Sequence, residues 1–357
     1  MGIFEQMAER GHEQLVFSHD SESGLRSIIA LHDTTLGSAL GGCRMRDYPT
    51  EAEAVDDALA LSWGMTAKSA ITRTNHGGGK AVIWGDPKTD KTEVLLRAFG
   101  RFVEGLHGRF LTGTDMGTTG EDFVVAGQET DWLVGLPEYA GGSGNTSVTT
   151  AHGVWHGIRA GASHLWGSDD LRGKTVAIQG VGKVGEYLAE LLDEAGCELI
   201  VSDVDGEAVE RVVTAHGARA VDPADIYDVE CDVFSPCALG GVLNEDTIGR
   251  LRCQIIGGAA NNQVTDPEIG HRLHEMGILY IPDYIINAGG LIQVADEVEG
   301  FNRERAMKKT EALYQLLLDC FARAEELSVT PFEAADRLVE ERINILGAVS
   351  RIYLPRR

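Results

Sequence analysis

Apolar and polar positions along the chain follow patterns that predict strands and helices in turn. Residues 11–20 and 25–33 are rich in apolar residues between polar boundaries, which is typical of two strands in one sheet. Thr50 and Glu53 have the T-x-x-E spacing of a capping box, so a helix is predicted to begin there. The apolar positions of that helix recur at helical spacing, at Ala54, Ala58, Leu61 and Met65.

A glycine-rich stretch follows this helix. Three glycines precede Lys80, and the apolar residues 81–84 after it predict a strand. Because glycine has no side chain, the backbone here can come close to a bound molecule. The preceding helix would carry Lys68 near its end and deliver it beside the glycines. A helix at 91–105 and a strand within 109–119 are predicted next.

Lys68 and Lys80 are two of only eight lysines in the chain, and together they indicate chemistry. A lysine shielded from water can lose its proton near neutral pH, and a second ammonium nearby disfavours the charged form further. One lysine would then bind an anion while the other acts as a base. The alternative is a glycine turn that leads into a strand, with two lysines at the surface. This stretch alone supports both interpretations equally.

Asp115 is a third candidate. It lies in a loop between the strand within 109–119 and a helix predicted to begin near Thr119. A carboxylate in such a loop usually serves as a cap or a turn residue. It also has the chemistry of an acid or base partner for one of the two lysines.

The middle of the chain contains a dinucleotide-binding fingerprint. A stretch rich in Gly, Ser and Thr at 137–149 predicts a connection between domains, and a long helix at 151–166 follows it. A short apolar strand at 174–179 then leads directly into G-x-G-x-x-G, a helix at 186–195 and a second strand that ends at Asp203. With this context, the motif is a specific signal for a Rossmann-type domain.

Each part of the fingerprint has a predicted task. Gly180 makes the tight turn, Gly182 admits the pyrophosphate, and Gly185 lets the helix pack on the strand. The Asp203 carboxylate would accept hydrogen bonds from both ribose hydroxyls and repel a 2′-phosphate, so NAD is predicted rather than NADP. The helix N-terminus faces the phosphates. The predicted cofactor-binding residues of the loop are Gly180, Val181, Gly182, Lys183, Val184 and Gly185.

Three later segments repeat the strand-and-loop pattern. Residues 231–241, 254–263 and 278–293 each begin as an apolar strand and break into glycine, alanine or asparagine. In a parallel sheet, such carboxyl-end loops line the ligand crevice. Asparagine also commonly satisfies turns, so both readings stay open for each one. The candidate ligand-binding residues in these loops are Ala238, Asn261, Asn262 and Asn287. Helices at 303–327 and 331–350 are predicted to close the chain.

Composition disfavours several classes of function. The formal net charge of −24 argues against binding to nucleic acid or to an anionic membrane. The six cysteines are scattered with no CxxC pair, so a reduced, cytoplasmic chain with free thiols is expected. No apolar run approaches the length of a membrane span, and no signal peptide is expected. No cluster has metal-ligand spacing, so no metal is predicted.

Taken in order, the motifs resemble those of the amino-acid dehydrogenases of the glutamate/leucine/phenylalanine/valine family, and most closely its leucine-specific members. The segments that carry this resemblance are TTLGSALGGCRM, DALALSWGMTAKSA, NHGGGKAVIWGDP, GRFLTGTDMGTT, KTVAIQGVGKVG, CDVFSPCALGG, GAANNQ and PDYIINAGG. They extend over nearly the whole chain. The resemblance implies reversible, NAD-dependent oxidative deamination of an L-amino acid to a 2-oxo acid and ammonium.

The resemblance also implies roles for individual residues. Lys80 matches the catalytic lysine that activates the water attacking the imino intermediate, and Lys68 matches the lysine that binds the substrate carboxylate. Asp115 matches the aspartate that assists proton transfer, and Asn262 matches a residue near the nicotinamide and substrate. The pocket for the substrate side chain resembles the aliphatic type at its matching positions, which are Leu40, Gly41, Met65, Leu291 and Val294.

Some positions depart from the leucine-specific pattern. Gly113, a predicted pocket residue, and Val134 stand where alanine and threonine are typical, and the missing methyl at Gly113 is expected to enlarge the pocket for an aromatic substrate. One methyl is worth only about 1–3 kcal/mol of discrimination. A dehydrogenase for branched-chain amino acids (leucine, valine, isoleucine) is the leading hypothesis, and one for phenylalanine or tryptophan is the alternative. A third hypothesis is an NAD-binding regulatory protein without catalysis. The presence of Lys68, Lys80 and Asp115 together counts against it.

The predicted fold class is therefore α/β with two domains. Residues 1–136 are predicted to form a substrate-binding and oligomerisation domain, completed by a C-terminal helix at 331–357. Residues 137–330 are predicted to form the Rossmann NAD-binding domain, with the active-site cleft between the two. The resemblance also implies a homo-oligomer, commonly an octamer.

Overall fold

Two β-sheets organise the computed structural model, which describes residues 2–349. Each sheet is the centre of one unit of the chain. The first unit contains residues 2–145, 293–302 and 339–349, and the second contains residues 146–292 and 303–338. Residues 350–357 of the predicted C-terminal helix lie outside the described residues.

The first unit has a five-stranded mixed sheet. Its strands are β1 (Gln14–Asp20), β2 (Leu25–Asp33), β3 (Ala39–Arg46), β4 (Gly77–Trp84) and β5 (Phe110–Thr114). They lie in the order β1-β2-β4-β3-β5. Strand β2 runs antiparallel to β1 and β4, whereas β3 runs parallel to β4 and β5. The helices of this part of the chain are α1 (Ile3–Arg10), α2 (Glu51–Ile71), α3 (Glu93–Glu104) and α4 (Gly120–Ala126).

Polar caps fix where these helices begin. The Thr50 hydroxyl accepts a hydrogen bond from the backbone N–H of Glu53, as the sequence predicts for α2. Thr92 and Thr119 cap α3 and α4 in the same way. Helix α1 was not predicted, because it begins after Gly2 and not after a Ser, Thr, Asp or Asn cap. Its first turn is instead closed by the Gly2 backbone N–H, which donates to the Glu5 carboxylate.

Helices cover both faces of this sheet. Helix α2 packs on one face through small and aliphatic residues, including Ala54, Ala58 and Leu59, against Ile28 and Val82 of the strands. The opposite face buries a larger aromatic and aliphatic cluster, in which α3, α4 and β5 contribute Phe99, Phe123 and Phe110. The sheet is therefore buried on both sides at its centre, which is where β4 and β3 lie.

The glycines before Lys80 belong to β4 and do not form a turn. A Cβ atom added at Gly78 would lie 2.1 Å from the backbone nitrogen of Thr66 in α2. Glycine at this position therefore allows the helix to approach the strand backbone directly. The sequence analysis considered either a turn or a backbone that approaches a bound molecule. Gly78 instead contacts helix α2 of the protein itself.

The second unit has a six-stranded sheet in which every pairing is parallel. Its strands are β6 (Thr175–Gln179), β7 (Glu198–Ser202), β8 (Arg219–Ala220), β9 (Val233–Pro236), β10 (Ile255–Ile256) and β11 (Leu279–Tyr280). The spatial order β8-β7-β6-β9-β10-β11 is that of a dinucleotide-binding, doubly wound sheet. The predicted α/β fold class with a Rossmann-type domain is confirmed.

Helices follow most strands of the second unit and continue beyond it. They are α5 (Ser147–Trp166), α6 (Lys183–Glu194), α7 (Gly206–His216), α8 (Pro267–Glu275), α9 (Asp283–Ile286), α10 (Gly289–Glu297), α11 (Arg303–Glu311), α12 (Leu313–Leu327) and α13 (Pro331–Val349). The stretch predicted as one helix at 303–327 is two helices that meet at Ala312.

The first compact unit extends past the predicted boundary at residue 136 and reaches Asn145. The carboxylate of Glu297 in α10 explains this extension, because it accepts hydrogen bonds from the backbone N–H groups of Gly135 at 2.7 Å and Ser143 at 2.8 Å. A carboxylate far along the chain thus binds the segment that composition alone marks as a connection.

Residues 2–349 lack two kinds of feature. No helix there has the length and apolar character needed to cross a membrane. No group of three or more His, Cys, Asp or Glu side chains in the same residues is arranged to hold a metal ion.

The contact between Gly78 and α2 generates a stability prediction. Gly78→Ala places a methyl against the Thr66 backbone, and such overpacking costs about 1–3 kcal/mol, so the midpoint of thermal unfolding should fall clearly. Gly64→Ala is the matched control, because Gly64 lies in α2 with no atom within 4 Å of an added Cβ. That control should be neutral or stabilising, since alanine favours helix. A Gly78→Ala protein as stable as the parent would contradict the close approach of α2 and β4.

Candidate active site

Lys80 lies in the interior of the first unit. Side chains two positions apart on a strand point to the same face of the sheet, so Lys80 lies on the same face as Gly78, which contacts α2. The residue is only 5% exposed. A buried lysine must have a specific partner, because an unpaired charge away from water is costly.

That partner is Asp115, whose carboxylate oxygen Oδ2 lies 2.9 Å from Lys80 Nζ. Asp115 immediately follows β5, and the loop after it is fixed by Thr118. The Asp115 backbone N–H donates to the Thr118 hydroxyl at 3.0 Å, and that hydroxyl donates to the Cys43 carbonyl at 2.9 Å. The loop that carries the Asp115 carboxylate is therefore held by the neighbouring strand β3. The sequence of the loop alone does not predict this contact.

The charges around Asp115 decide its protonation state. Burial raises the pKa of the Asp115 carboxyl, but the positive charges of Lys80 and Arg44 and hydrogen bonds to Lys80 and Met116 lower it by more. Its pKa consequently lies below the ordinary value of 3.8. Asp115 is therefore an anion at neutral pH and is suited to accept a proton or to orient a protonated partner.

Lys68 lies on α2, two residues after the Thr66 that contacts Gly78, and it is half-buried. The two predicted lysines are thus carried by elements that touch each other, a helix and the central strand β4. Lys80 forms its ion pair with the Asp115 carboxylate, whereas the sequence analysis emphasised a second ammonium.

Two predicted pocket residues, Gly41 of β3 and Met65 of α2, lie close together. A Cβ added at Gly41 would meet the carbonyl oxygen of Gly79 at 1.7 Å and the side chain of Met65 at 3.3 Å. Leu40 is fully buried at 1% exposure and Met65 is half-buried. Gly41 therefore lets β3 and β4 lie close together with Met65 beside them.

Gly113 has a different role from the one expected. A Cβ added there would lie 2.5 Å from the carbonyl oxygen of Val134, and Thr112 forms a parallel bridge with Leu133. The space of the missing methyl is thus occupied by the backbone of the neighbouring segment. The structure therefore does not show the expected enlargement of the pocket. The two positions that depart from the family pattern, Gly113 and Val134, are in contact with each other.

The glycines of the fingerprint adopt the geometry that a dinucleotide site requires. Gly180 has a φ of +97°, which favours glycine, and an added Cβ would lie 2.6 Å from the Ala238 nitrogen. A Cβ at Gly185 would lie 2.1 Å from the Gly180 carbonyl oxygen, so α6 packs tightly on the turn. Gly182 is exposed, precedes the first residue of α6 and has nothing within 4 Å of an added Cβ. A helix N-terminus with open space in front of it suits a pyrophosphate.

Asp203 follows β7 and binds back to the fingerprint loop. Its Oδ2 accepts the Val181 N–H at 2.8 Å, and its Oδ1 accepts the Asp205 N–H at 3.0 Å. An ionised carboxylate has about four lone-pair sites, so capacity remains for ribose hydroxyls. Lys183 is exposed and Val184 half-buried in the first turn of α6.

The other cofactor candidates also lie at the carboxyl edge of the parallel sheet. Ala238 follows β9 and is exposed, and Asn261 and Asn262 follow β10 and are exposed. Asn287 is buried, and its Nδ2 group donates to the Asn261 side chain at 2.7 Å. Asn262 has a φ of +50°, which a turn role explains as well as a ligand role.

The last two pocket candidates lie on α10. Leu291 is buried and belongs to the second unit, whereas Val294 is half-buried and belongs to the first. Val294 lies 3.7 Å from the position of a Cβ on Gly135.

The sequence analysis missed two charged residues of the first site. Arg44 in β3 donates to Asp115 at 3.0 Å and to Asp57 of α2 at 3.0 Å. A signal was available, because Arg44 lies between the apolar residues Cys43 and Met45 of β3, and Asp57 lies beside Ala54 and Ala58 on the packed side of α2. Two opposite charges on the buried faces of neighbouring elements indicate an ion pair.

Models of protein families match both parts of the chain. The model described as the Glu/Leu/Phe/Val dehydrogenase dimerisation domain matches residues 12–138. The model described as Glutamate/Leucine/Phenylalanine/Valine dehydrogenase matches residues 141–211 and 202–344.

Individual relatives agree with these models over almost their full length. A leucine dehydrogenase from Geobacillus stearothermophilus is 53% identical over 354 residues, which is 99% of this chain and 96% of the relative. A phenylalanine dehydrogenase from Thermoactinomyces intermedius is 52% identical over 99% of this chain and 97% of its own. The crystal structure of L-tryptophan dehydrogenase from Nostoc punctiforme is 44% identical, with a TM-score of 0.86 over 97% of this chain and 99% of that one. The chain therefore belongs to the glutamate/leucine/phenylalanine/valine dehydrogenase family of amino-acid oxidoreductases.

Proposed function

We propose that this protein catalyses the reversible, NAD-dependent oxidative deamination of a branched-chain L-amino acid to the 2-oxo acid and ammonium. The observation that carries the proposal is the ion pair of the buried Lys80 with the half-buried Asp115, in a chain that belongs to a family of amino-acid dehydrogenases. The pair also counts against the inactive regulatory alternative, since a buried lysine charge without a task is costly to keep.

In this proposal the residues of the first unit handle the amino acid. The Lys68 ammonium binds the substrate carboxylate and so orients the α-carbon. Lys80, once neutral, takes a proton from the water that attacks the imino carbon, and Asp115 accepts or returns the proton through its contact with Lys80. The amino group then leaves as ammonium. Proton movement is confined to groups that are within hydrogen-bonding distance before the reaction begins.

NAD, when bound, accepts the hydride from the substrate α-carbon. The residues of the second unit fit that group, because Gly182 leaves open space before the N-terminus of α6 and Asp203 is already fixed beside the loop. The negative charge of Asp203 supports NAD over NADP, since it would repel a 2′-phosphate. Ala238, Asn261 and Asn287 are proposed to line the nicotinamide end of the site.

The choice of amino acid rests on the pocket residues. Leu40, Met65, Leu291 and Val294 are apolar, which suits an aliphatic side chain and offers no cation for a γ-carboxylate. Relatives named for leucine, phenylalanine and tryptophan are similar to this chain at comparable levels. An aromatic amino-acid dehydrogenase is therefore the second candidate.

Assembly and location complete the proposal. A family model described as a dimerisation domain matches the first unit, which supports a homo-oligomer, and we propose an octamer on the family resemblance. All six cysteines are free, which suits the reducing cytoplasm.

The first prediction concerns the reaction itself. With NAD, initial rates should be highest for leucine, valine and isoleucine and lower for phenylalanine and tryptophan. Lys80→Ala should lower kcat about 10²- to 10⁴-fold, because it removes the base. The matched control is Lys88→Ala at an exposed position, which should keep the parent rate. A Lys80→Ala enzyme as fast as the parent would reject the assignment of the base, and faster turnover of phenylalanine or tryptophan would select the aromatic alternative.

The second prediction concerns the cofactor. Asp203→Ala should reduce the preference for NAD over NADP, measured as the ratio of kcat/KM values, by about tenfold or more, because the charge that repels the 2′-phosphate is lost. Asp203→Asn keeps an acceptor for the Val181 N–H and tests the charge separately. An unchanged ratio in both variants would show that Asp203 does not select the cofactor.

The third prediction concerns Gly113 and substrate size. Gly113→Ala should lower the midpoint of thermal unfolding, because the methyl would meet the Val134 carbonyl at 2.5 Å and not an open pocket. The ratio of kcat/KM for leucine to that for phenylalanine should stay within about threefold, which corresponds to less than 1 kcal/mol. A large change in this ratio at unchanged stability would return Gly113 to the substrate pocket.

A further inference from the structure

Arg44 joins three elements of the first unit at the candidate active site. Its Nε group on β3 donates to Asp115 Oδ2 at 3.0 Å, in the loop after β5. Its Nη1 group donates to both carboxylate oxygens of Asp57 on α2, each at 3.0 Å. The planar guanidinium therefore bridges two carboxylates that lie far apart in the sequence.

The same oxygen of Asp115 receives both cations. Lys80 Nζ and Arg44 Nε each lie within 3.0 Å of Oδ2, so the orientation of this carboxylate is fixed from two sides. The arginine is itself held, because Tyr48 donates its hydroxyl proton to Asp57 Oδ2 at 2.6 Å. Tyr48 is buried at 3% exposure. The order of contacts is thus Tyr48, Asp57, Arg44, Asp115 and Lys80.

We propose that Arg44, anchored by Asp57, is a positioning residue for the reaction, because it holds the Asp115 carboxylate against Lys80 through the step in which Lys80 is neutral. This inference rests on the proposed function and adds a residue pair to it. Neither Arg44 nor Asp57 contacts the reacting atoms in this assignment. They act through Asp115.

The physical reason is the changing charge of Lys80. A base must lose its proton before it can accept one, and Asp115 then loses one of its two cations. Arg44 remains, because burial lowers its pKa but Asp115 and Asp57 raise it by more, so it stays charged. With Arg44 in place the carboxylate keeps a charge-assisted hydrogen bond and need not rotate towards another donor.

The groups that face Asp115 come from every neighbouring element. Lys80 faces it from β4, Arg44 from β3, and the Met116 N–H from its own loop, while the Cys43 thiol of β3 lies in the cluster on the opposite face of the sheet. Burial raises the pKa of the Cys43 thiol, so that group is neutral. Asp115 thus pairs with two cations, Lys80 and Arg44. Removal of Arg44 should change both the geometry of the Lys80–Asp115 pair and the pH dependence of the reaction.

Two substitutions at Arg44 separate charge from geometry. Arg44→Gln removes the cation, so kcat should fall about 10- to 100-fold from misplacement of Asp115. The pH of half-maximal kcat should rise by about one unit, because a nearby positive charge that favours proton release is gone. Arg44→Lys keeps a cation but not the planar bridge, so kcat should fall while the pH midpoint stays near that of the parent.

The anchor is tested by neighbouring residues of α2. Asp57→Asn should lower kcat in the same direction as Arg44→Gln, because the guanidinium loses its fixed partner. Asp56→Asn is the matched control, since Asp56 is exposed and pairs with Arg10 at 2.7 Å. That control should keep the parent kcat and pH profile. Thermal unfolding of each variant shows which proteins are folded.

Several results would overturn the inference while leaving the proposed function intact. One is an active parent, an inactive Lys80→Ala and an Arg44→Gln enzyme with the kcat and pH profile of the parent. Another is a fall in kcat for Arg44→Gln with no shift in pH midpoint and a matching loss of stability, which is what a purely structural ion pair predicts.

A crystal structure of Arg44→Gln gives a readout that does not depend on activity. The Asp115 carboxylate should turn away from the position 2.9 Å from Lys80 that it holds in the parent. An unchanged Lys80–Asp115 contact would overturn the inference even if no amino acid were a substrate. Failure of every amino acid in the parent would instead reject the proposed function.

Discussion

The close approach of α2 to β4 is the constraint on which the first unit depends. A helix can lie directly on a strand only where the strand has no side chain, and Gly78 provides that position opposite Thr66. The strand then continues to Lys80 on the same face, so the lysine enters a space bounded by the helix. Gly78 and Lys80 of the GGGK motif therefore share the face of β4 that packs on α2, and the burial of the lysine follows from the packing of this glycine.

Burial of Lys80 creates an electrostatic demand that the surrounding residues meet. Moving an ion out of water costs several kcal/mol unless partners compensate. Here Asp115 pairs with Lys80, Arg44 pairs with Asp115, and Asp57 pairs with Arg44, so positive and negative groups alternate. Apolar residues of similar volume would often be as stable as such a group of charges. The presence of charges at this position is therefore better explained by chemistry than by stability.

Local signals allowed much of the fold to be predicted from the sequence. The capping box at Thr50 and the fingerprint at Gly180 depend on residues only a few positions apart, and the structure confirms the helix and the Rossmann-type sheet. Long-range contacts were not available in the same way. Arg44 and Asp57 each carry a charge on an apolar face, which the sequence shows, but that they pair with each other follows only from the packing of β3 against α2.

The same distinction explains why the reaction is easier to infer than the substrate. The proposed reaction rests on charged residues, Lys80 and Asp115, whose ion pair depends on residue type. Substrate choice depends on small apolar differences, whose effect is decided by the space around them. Gly113 illustrates this, because its missing methyl reads as extra room in the sequence, yet Val134 fills that position in the structure. A departure from the family pattern at one position must therefore be interpreted together with the residue that it contacts, which here is Val134 through its backbone carbonyl.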